Sequence, residues 1–156
     1  MEKLTISISV DVCGLNDLTE EERRLAHEAI NATTHAYAPY SHFCVGAAAL
    51  LDNGKTVIGA NQENAAFPSG LCAERTCLFA AQAQYPHEGV KLLAIAASCN
   101  GEVCTEPVTP CGACRQVMLQ VETRSKHPIK VILCGKDKFY RVSSVSDLLP
   151  LCFSKI

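Results

Sequence analysis

The chain opens on a strict alternation. Leu4, Ile6, Ile8 and Val10 take turns with Thr5, Ser7, Ser9 and Asp11, which is the period of a half-buried strand. A capping box follows at Thr19-Glu20-Glu21-Glu22, with its acidic residues where the positive end of a helix favours them. Leu25, Ala29, Ile30, Thr33 and Tyr37 then recur at helical spacing and predict a helix to about Ala38, where Pro39 stops it. Phe43 to Leu51 reads as a strand, Asp52-Asn53-Gly54 as a tight turn and Thr56 to Asn61 as the returning strand of a hairpin.

Beyond the hairpin the period changes again. Cys72 to Gln84 predicts a second helix, closed by Tyr85-Pro86, and the apolar run Lys91 to Ser98 has strand length. After a loop, Pro110 and Cys111 open a third helix that continues through Arg115-Gln116-Val117-Met118-Leu119. Ile129 to Cys134 is another strand, Lys138 to Val142 a short one, and Ser146-Asp147-Leu148-Leu149-Pro150 a short helix. Strand, helix, strand, helix, strand after an initial helix and hairpin is the order of an α/β sandwich. No repeat or low-complexity linker interrupts it, so residues 1–156 read as one domain, with 1–17 as an N-terminal extension that adds an edge strand or a subunit contact.

Composition narrows the function classes. The 156 residues carry a net charge of −2, with 48 % hydrophobic and 19 % charged residues, an ordinary balance for one domain with a sizeable core. That charge offers no basic field for nucleic acid or acidic lipid, so a small molecule is the expected partner. No stretch approaches the ~20 apolar residues of a membrane span, and polar residues break any signal-like apolar core after Met1-Glu2-Lys3. The ten cysteines are accordingly expected to be reduced thiols of a cytoplasmic protein.

Two segments carry the chemistry: Cys72-Ala73-Glu74-Arg75 and Pro110-Cys111-Gly112-Ala113-Cys114. Cys111 and Cys114, three apart at a helix start, lie on one face with Cβ atoms roughly 5–6 Å apart. Sulfurs bonded to one tetrahedral zinc at about 2.3 Å stand about 3.8 Å from each other, so the pair fits one metal. Cys72 adds a third thiol and leaves the fourth position to water, the pattern of a catalytic zinc site. Glu74 is two residues from Cys72, a turn of roughly 200° in a regular helix, so it reads as an acid/base partner beside the metal. Three thiolates on a dication leave a net negative charge, and Arg75 is placed to offset it by donating to the cysteine sulfurs. The other seven cysteines, Cys13, Cys44, Cys77, Cys99, Cys104, Cys134 and Cys152, read as small buried apolar residues, and His27 and His35 as surface or packing histidines.

At these residues the sequence resembles the zinc-dependent cytidine deaminases of the small, three-cysteine type. The likeness extends over Ala38-Pro39-Tyr40-Ser41, Val45-Gly46-Ala47-Ala48 and Asn61-Gln62-Glu63-Asn64-Ala65-Ala66, and covers roughly Leu18 to Phe153. It implies a three-layer α/β sandwich with a mixed five-stranded sheet and the metal at the N-termini of two helices. It implies one Zn²⁺ per subunit on Cys72, Cys111 and Cys114, and Glu74 as the proton shuttle, as is general for zinc nucleobase deaminases. Asn61 and Glu63, two apart at a strand end, would face one way, and the resemblance assigns them to the ribose hydroxyls. It assigns Phe43 and the backbone around Ala73 and from Thr109 to Cys111 to the base. It implies a homotetramer in pyrimidine salvage, with Phe153 reaching a neighbouring subunit's site. Phe67 stands where relatives often have tyrosine, so contacts between subunits can differ there.

Three other readings remain open on the residues alone. A structural zinc module needs a fourth protein ligand, for which Cys99 or Cys104 would have to serve. A thiol redox protein would use Cys111-x-x-Cys114 but leaves Cys72 and Glu74 without a role. A deaminase of another aminated heterocycle, or of nucleic acid, would keep the whole metal site. Against the nucleic acid, a carboxylate at Glu63 would repel a phosphate or a continuing strand.

Overall fold

The computed structural model describes residues 1–154. Seven strands, β1 (Asp11–Cys13), β2 (Phe43–Leu51), β3 (Thr56–Ala60), β4 (Val90–Cys99), β5 (Glu102–Val103), β6 (Lys130–Cys134) and β7 (Phe139–Val142), form one sheet. It is flanked by helices α1 (Glu20–Ala32), α2 (Ala73–Gln84) and α3 (Gly112–Ser125). The strand order is β1-β7-β6-β4-β2-β3, with β5 paired to β4. β4 and β6 are parallel, joined by the crossover through α3, and the other pairs are antiparallel. The five strands β3-β2-β4-β6-β7 are the expected mixed sheet, extended at one edge by β1 and at the end of β4 by the two residues of β5.

Alternation along the central strands makes the three layers. Ala47, Ala49 and Leu51 of β2, with Leu93 and Ile95 of β4, pack against Leu78 and Ala81 of α2 and Met118 of α3. Ala48 and Leu50, with Ala94 and Ala96, pack against Leu25, Ala26 and Ala29 of α1. Strands buried on both faces read as continuous apolar runs, which is why β2 and β4 are nearly all apolar in sequence. Small residues also let the helices close in. A Cβ at Gly46 would collide with the backbone of α1 at Ala29 and Ala32 and of Thr33 just beyond it, and one at Gly59 with the backbone of α2 at Cys77. Cys77 is itself fully buried there, and its thiol donates to the Val57 carbonyl at 3.2 Å.

Three local readings are corrected. The alternating segment Leu4 to Val10 forms no strand; it is exposed and without regular structure, and pairing begins only at β1, where Asp11–Cys13 lies antiparallel to Phe139–Arg141. α1 ends at Ala32 instead of near Ala38, and a 3₁₀ turn, Thr33–His35, follows. There the Thr33 and Thr34 hydroxyls donate to the carbonyls of Ile30 and Asn31, competing with the next helical bonds. The loop after β4 is a tight hairpin. Asn100 and Gly101 have φ of 52° and 81°, the two positive values that a type I′ turn requires.

Candidate active site

α2 and α3 begin side by side, and their N-caps are Cys72 and Cys111. Both caps have extended dihedrals and neither side chain caps its own helix. The thiols therefore face each other at the positive ends of two helices, where negative charge is favoured. The Cys72 and Cys111 sulfurs are 3.9 Å apart. With the buried Cys114 sulfur they form a group whose three ligand atoms lie within 4.8 Å of one another. Among the described residues this is the only His, Cys or carboxylate group of three that could hold a metal ion.

The surroundings fit a cation with thiolate ligands. The first contact is at about the 3.8 Å separation that a tetrahedral zinc of 2.3 Å bonds imposes. Burial raises the Cys111 thiol, but the Cys114 N–H and the neighbouring thiols outweigh it and bring it below its ordinary value. Cys114 is raised, first by burial and then by the charge of Glu74. Arg75 donates through Nη2 to the Cys72 sulfur at 3.5 Å, and this bond raises the guanidinium pKa further. Its Nε is buried with no partner among the described residues.

Glu74 is 4 % exposed. Burial lifts its carboxyl above the ordinary range, opposed by its own backbone N–H, by Cys114 and by Arg75. It stands outside the three-thiol group, although the reason is not the helical turn of 200°. Cys72 is a non-helical cap, so the carboxylate is aimed by the first residues of α2 toward Cys114.

Two cavities meet at this cluster and share Asn61, Glu63 and Cys72. One, of about 290 Å³, is lined by Phe43, Val45, Glu74, Ile95, Thr109 and Cys111 among others. The second, of about 370 Å³, opens past Tyr40, Phe67 and Arg75. The expected residues Phe43, Asn61 and Glu63 are thus gathered around the same space as the thiols, and the buried Ala73 sits between Cys72 and Glu74. Asn61 is fixed by β2: its Oδ1 accepts from the Val45 N–H and its Nδ2 donates to the Phe43 carbonyl, both at 2.8 Å. Phe67 is 75 % exposed and meets Tyr40 edge-on at 5.8 Å. Phe153 is 69 % exposed and lies outside both cavities of its own chain.

A family model described as the cytidine and deoxycytidylate deaminase zinc-binding region matches residues 19–127. The chain belongs to this family. A cytidine deaminase of Halalkalibacterium halodurans is 40 % identical over 134 residues, 86 % of this chain and 95 % of that protein. A probable cytidine deaminase of Dictyostelium discoideum is 33 % identical over 136 residues, 87 % of this chain and 86 % of that one. The crystal structure of a cytidine deaminase from Burkholderia pseudomallei superposes with a TM-score of 0.73 at 40 % identity, covering 87 % of this chain and all of that one. The deaminase family's zinc is therefore the cofactor that the three thiols fit.

Some of the residues that brace this cluster and its cavities were not legible beforehand. Arg115, read only as a helix residue, donates through Nε to the Pro110 carbonyl and through Nη1 to the Leu148 carbonyl, both at 2.8 Å. It ties the loop before Cys111 to the C-terminal segment. Tyr40 and Ser41 hold Glu63 through backbone and hydroxyl donors. An arginine directly after the second cysteine and a Pro-Tyr-Ser turn were the signals, but neither spacing names a partner. His27 and His35 are exposed, as expected. Of the seven remaining cysteines, Cys13, Cys77 and Cys134 are buried, Cys44, Cys104 and Cys152 half-buried and Cys99 exposed, so the apolar reading fails for Cys99. All ten are free thiols.

Proposed function

We propose that the chain is a zinc-dependent deaminase that hydrolyses cytidine and deoxycytidine to uridine and deoxyuridine with release of ammonia. The observation that carries this reading is the buried Glu74 carboxylate against a three-thiol cluster at two helix N-termini, beside a cavity with room for a pyrimidine. When bound, the zinc supplies the Lewis acidity that lets water lose a proton near neutral pH. Glu74 accepts that proton and passes it to N3 of the ring as C4 is attacked, then carries the proton of the new C4 hydroxyl to the departing amino group, so that ammonia leaves and the C4 carbonyl forms. Its raised pKa suits both directions of transfer. Phe43 and Val45 present an apolar wall to the pyrimidine, the backbone at Ala73 and from Thr109 to Cys111 meets the base edge, and Asn61 and Glu63 take the ribose hydroxyls. Arg75 draws charge from the Cys72 sulfur.

The same reading takes residues 1–156 as one deaminase domain with 1–17 as an extension, acting in cytoplasmic pyrimidine salvage on a free nucleoside, without nucleic acid or membrane. Among the described residues no helix is long and apolar enough to cross a membrane. A homotetramer is supported by the exposed Phe67 and Phe153 rings, which leave an open cavity side for neighbouring subunits to close. The second reading, a deaminase of another aminated heterocycle, keeps the metal site and changes only the walls. A structural zinc module is disfavoured, since among the described residues no fourth ligand joins the three thiols.

The deciding assay follows conversion of cytidine to uridine by the ultraviolet change and by ammonia, for the parent and Glu74→Ala, with zinc measured on both. Turnover by the parent, and a variant that keeps zinc but loses activity, is the expected result. Zinc-loaded parent that leaves cytidine untouched would move the substrate to other aminated heterocycles.

A further inference from the structure

The first ten residues carry a pattern that the fold leaves unused. Leu4, Ile6, Ile8 and Val10 are 76, 48, 51 and 41 % exposed, and Val12 of β1 is 67 % exposed. All lie on even positions, so in an extended chain they form one apolar face, continuous with Val12 at the sheet edge. β1 pairs with β7 on one side only, and its other edge has no partner strand among the described residues. Edge strands of natural proteins are blunted by Pro, Lys or bulges, yet Leu4 to Val10 contains no charge, no Pro and no Gly. An exposed apolar segment that leads into an open edge strand is a template for another strand. It also lies outside the family match, which begins at residue 19.

We propose that residues 3–11 pair antiparallel, about a two-fold axis at Ser7, with the same segment of a second copy of this chain. The sequence is complementary to itself in that register. Leu4 stands opposite Val10, Ile6 opposite Ile8 and Thr5 opposite Ser9, so like faces like on both sides of the ribbon. Lys3 stands opposite Asp11, an opposite-charge pair at each end. Asp11 already accepts from Arg141 Nε at 3.1 Å through one oxygen, but its side chain is 60 % exposed, so a second cation has access. Moving the axis to Ile8 would also match apolar residues, but it sets Lys3 against Cys13 and Asp11 against Thr5. Charge selects Ser7. The contact joins sheet edges far from the thiol cluster, so it is an addition to the proposed tetramer and does not depend on it.

The test places a thiol on the axis. Ser7→Cys, Thr5→Cys and Ile8→Cys are made in the full zinc-loaded chain and exposed to a limiting amount of oxidised glutathione. Two thiols and one glutathione disulfide then give one protein disulfide and two glutathione thiols. Non-reducing gels and mass spectrometry of the linked peptide are read against the parent, which controls for the native cysteines. Ser7→Cys should convert most of the chain to a dimer linked at position 7, and Thr5→Cys should not, because its own copy lies too far away to bridge. The added pair Ile6→Lys and Ile8→Lys should abolish the Ser7→Cys link while activity stays at the parent level, which shows a folded chain. Absence of the link, equal linking at Thr5→Cys, or linking at Ile8→Cys in its place overturns the proposal. Light-scattering mass of the Ile6→Lys/Ile8→Lys chain separates this from the tetramer: four copies there mean that the assembly stands on other contacts, whichever way the cross-link falls.

Discussion

Ser41 and Glu63 grip each other at the mouth of the site. The Ser41 hydroxyl donates to one oxygen of the Glu63 carboxylate, while the backbone N–H groups of Tyr40 and Ser41 donate to the other at 2.8 and 3.3 Å. The Ser41 hydroxyl bond is the main reason that the carboxyl lies below its ordinary range, so Glu63 is held charged and oriented. Its hydroxyl partner is also an acceptor for the Phe43 N–H, and the same contact therefore sets the strand that carries the ring wall.

Replacing Glu63 with Gln keeps its shape and removes its charge. The expected outcome is a KM for cytidine raised about tenfold or more, since a hydrogen bond to a charged acceptor is stronger than one to a neutral one. The melting temperature should move little, because the carboxylate is on an open surface. Steady-state kinetics with a thermal melt check it; an unchanged KM removes Glu63 from the substrate's path.

Glu74→Gln is expected to keep zinc and lose kcat by about 10²–10⁴-fold, the scale of a positioned acid/base. The substituted amide can still hydrogen-bond but cannot shuttle protons. Metal analysis beside kcat separates this from a collapsed site, and a variant that loses zinc along with activity would make Glu74 part of the metal's support instead.

Arg75→Ala removes the donor to the Cys72 sulfur. Residues that support metal ligands typically cost 10–100-fold in metal affinity or activity when lost, so zinc should leave faster in a chelator challenge or turnover should fall by that factor. Both unchanged would leave the guanidinium without a role at the cluster.

How far these residues could be read in advance follows from how local their cause is. Cys111 and Cys114 lie in one turn, and their shared face was legible from spacing alone. Cys72, thirty-nine residues from Cys111, joins them because α2 and α3 start at the same end of the sheet, which the resemblance to the deaminases implied and the spacing did not. The early end of α1 was not legible, because Thr33 and Thr34 divert their hydroxyls to the preceding turn. The Leu4 to Val10 alternation predicted a half-buried strand that the structure does not form, since pairing depends on what lies across the edge. Asn100-Gly101 was legible and passed over: the dipeptide itself demands the turn that the structure contains.

Stripping the zinc should free its thiol ligands. With metal bound, Cys72, Cys111 and Cys114 are expected to be withheld from a disulfide reagent while the exposed Cys99 reacts. After chelation the titre should rise at Cys72 and Cys111, the two ligands that are not buried, with deaminase activity lost in step and the melting temperature lowered, because binding energy at such a site is folding energy. Zinc added back should reverse all three. A titre that does not rise at both Cys72 and Cys111 would mean that one of them is not a ligand.

Acid should find Glu22. Its side chain is 2 % exposed, and Lys130 Nζ and Arg141 Nη1 approach at 2.9 and 3.4 Å. Burial alone would raise its pKa, but the Thr19 N–H, Lys130 and Arg141 together outweigh burial, and the net shift is downward from 4.5. A group whose folded-state pKa is depressed stabilises the fold above its unfolded value, and that contribution is lost as pH falls through the folded one. The parent should therefore hold its full contribution from Glu22 at neutral pH and shed it below about 4.5. Glu22→Gln should be less stable at pH 7 by about 1–3 kcal/mol, the cost of weakening a buried acceptor, which corresponds to a melting temperature several degrees lower. Because the glutamine does not titrate, the two melting curves should converge as pH drops below 4.5. Parallel curves from pH 7 to pH 3 would show that the carboxylate's charge contributes nothing to holding α1 against β6 and β7.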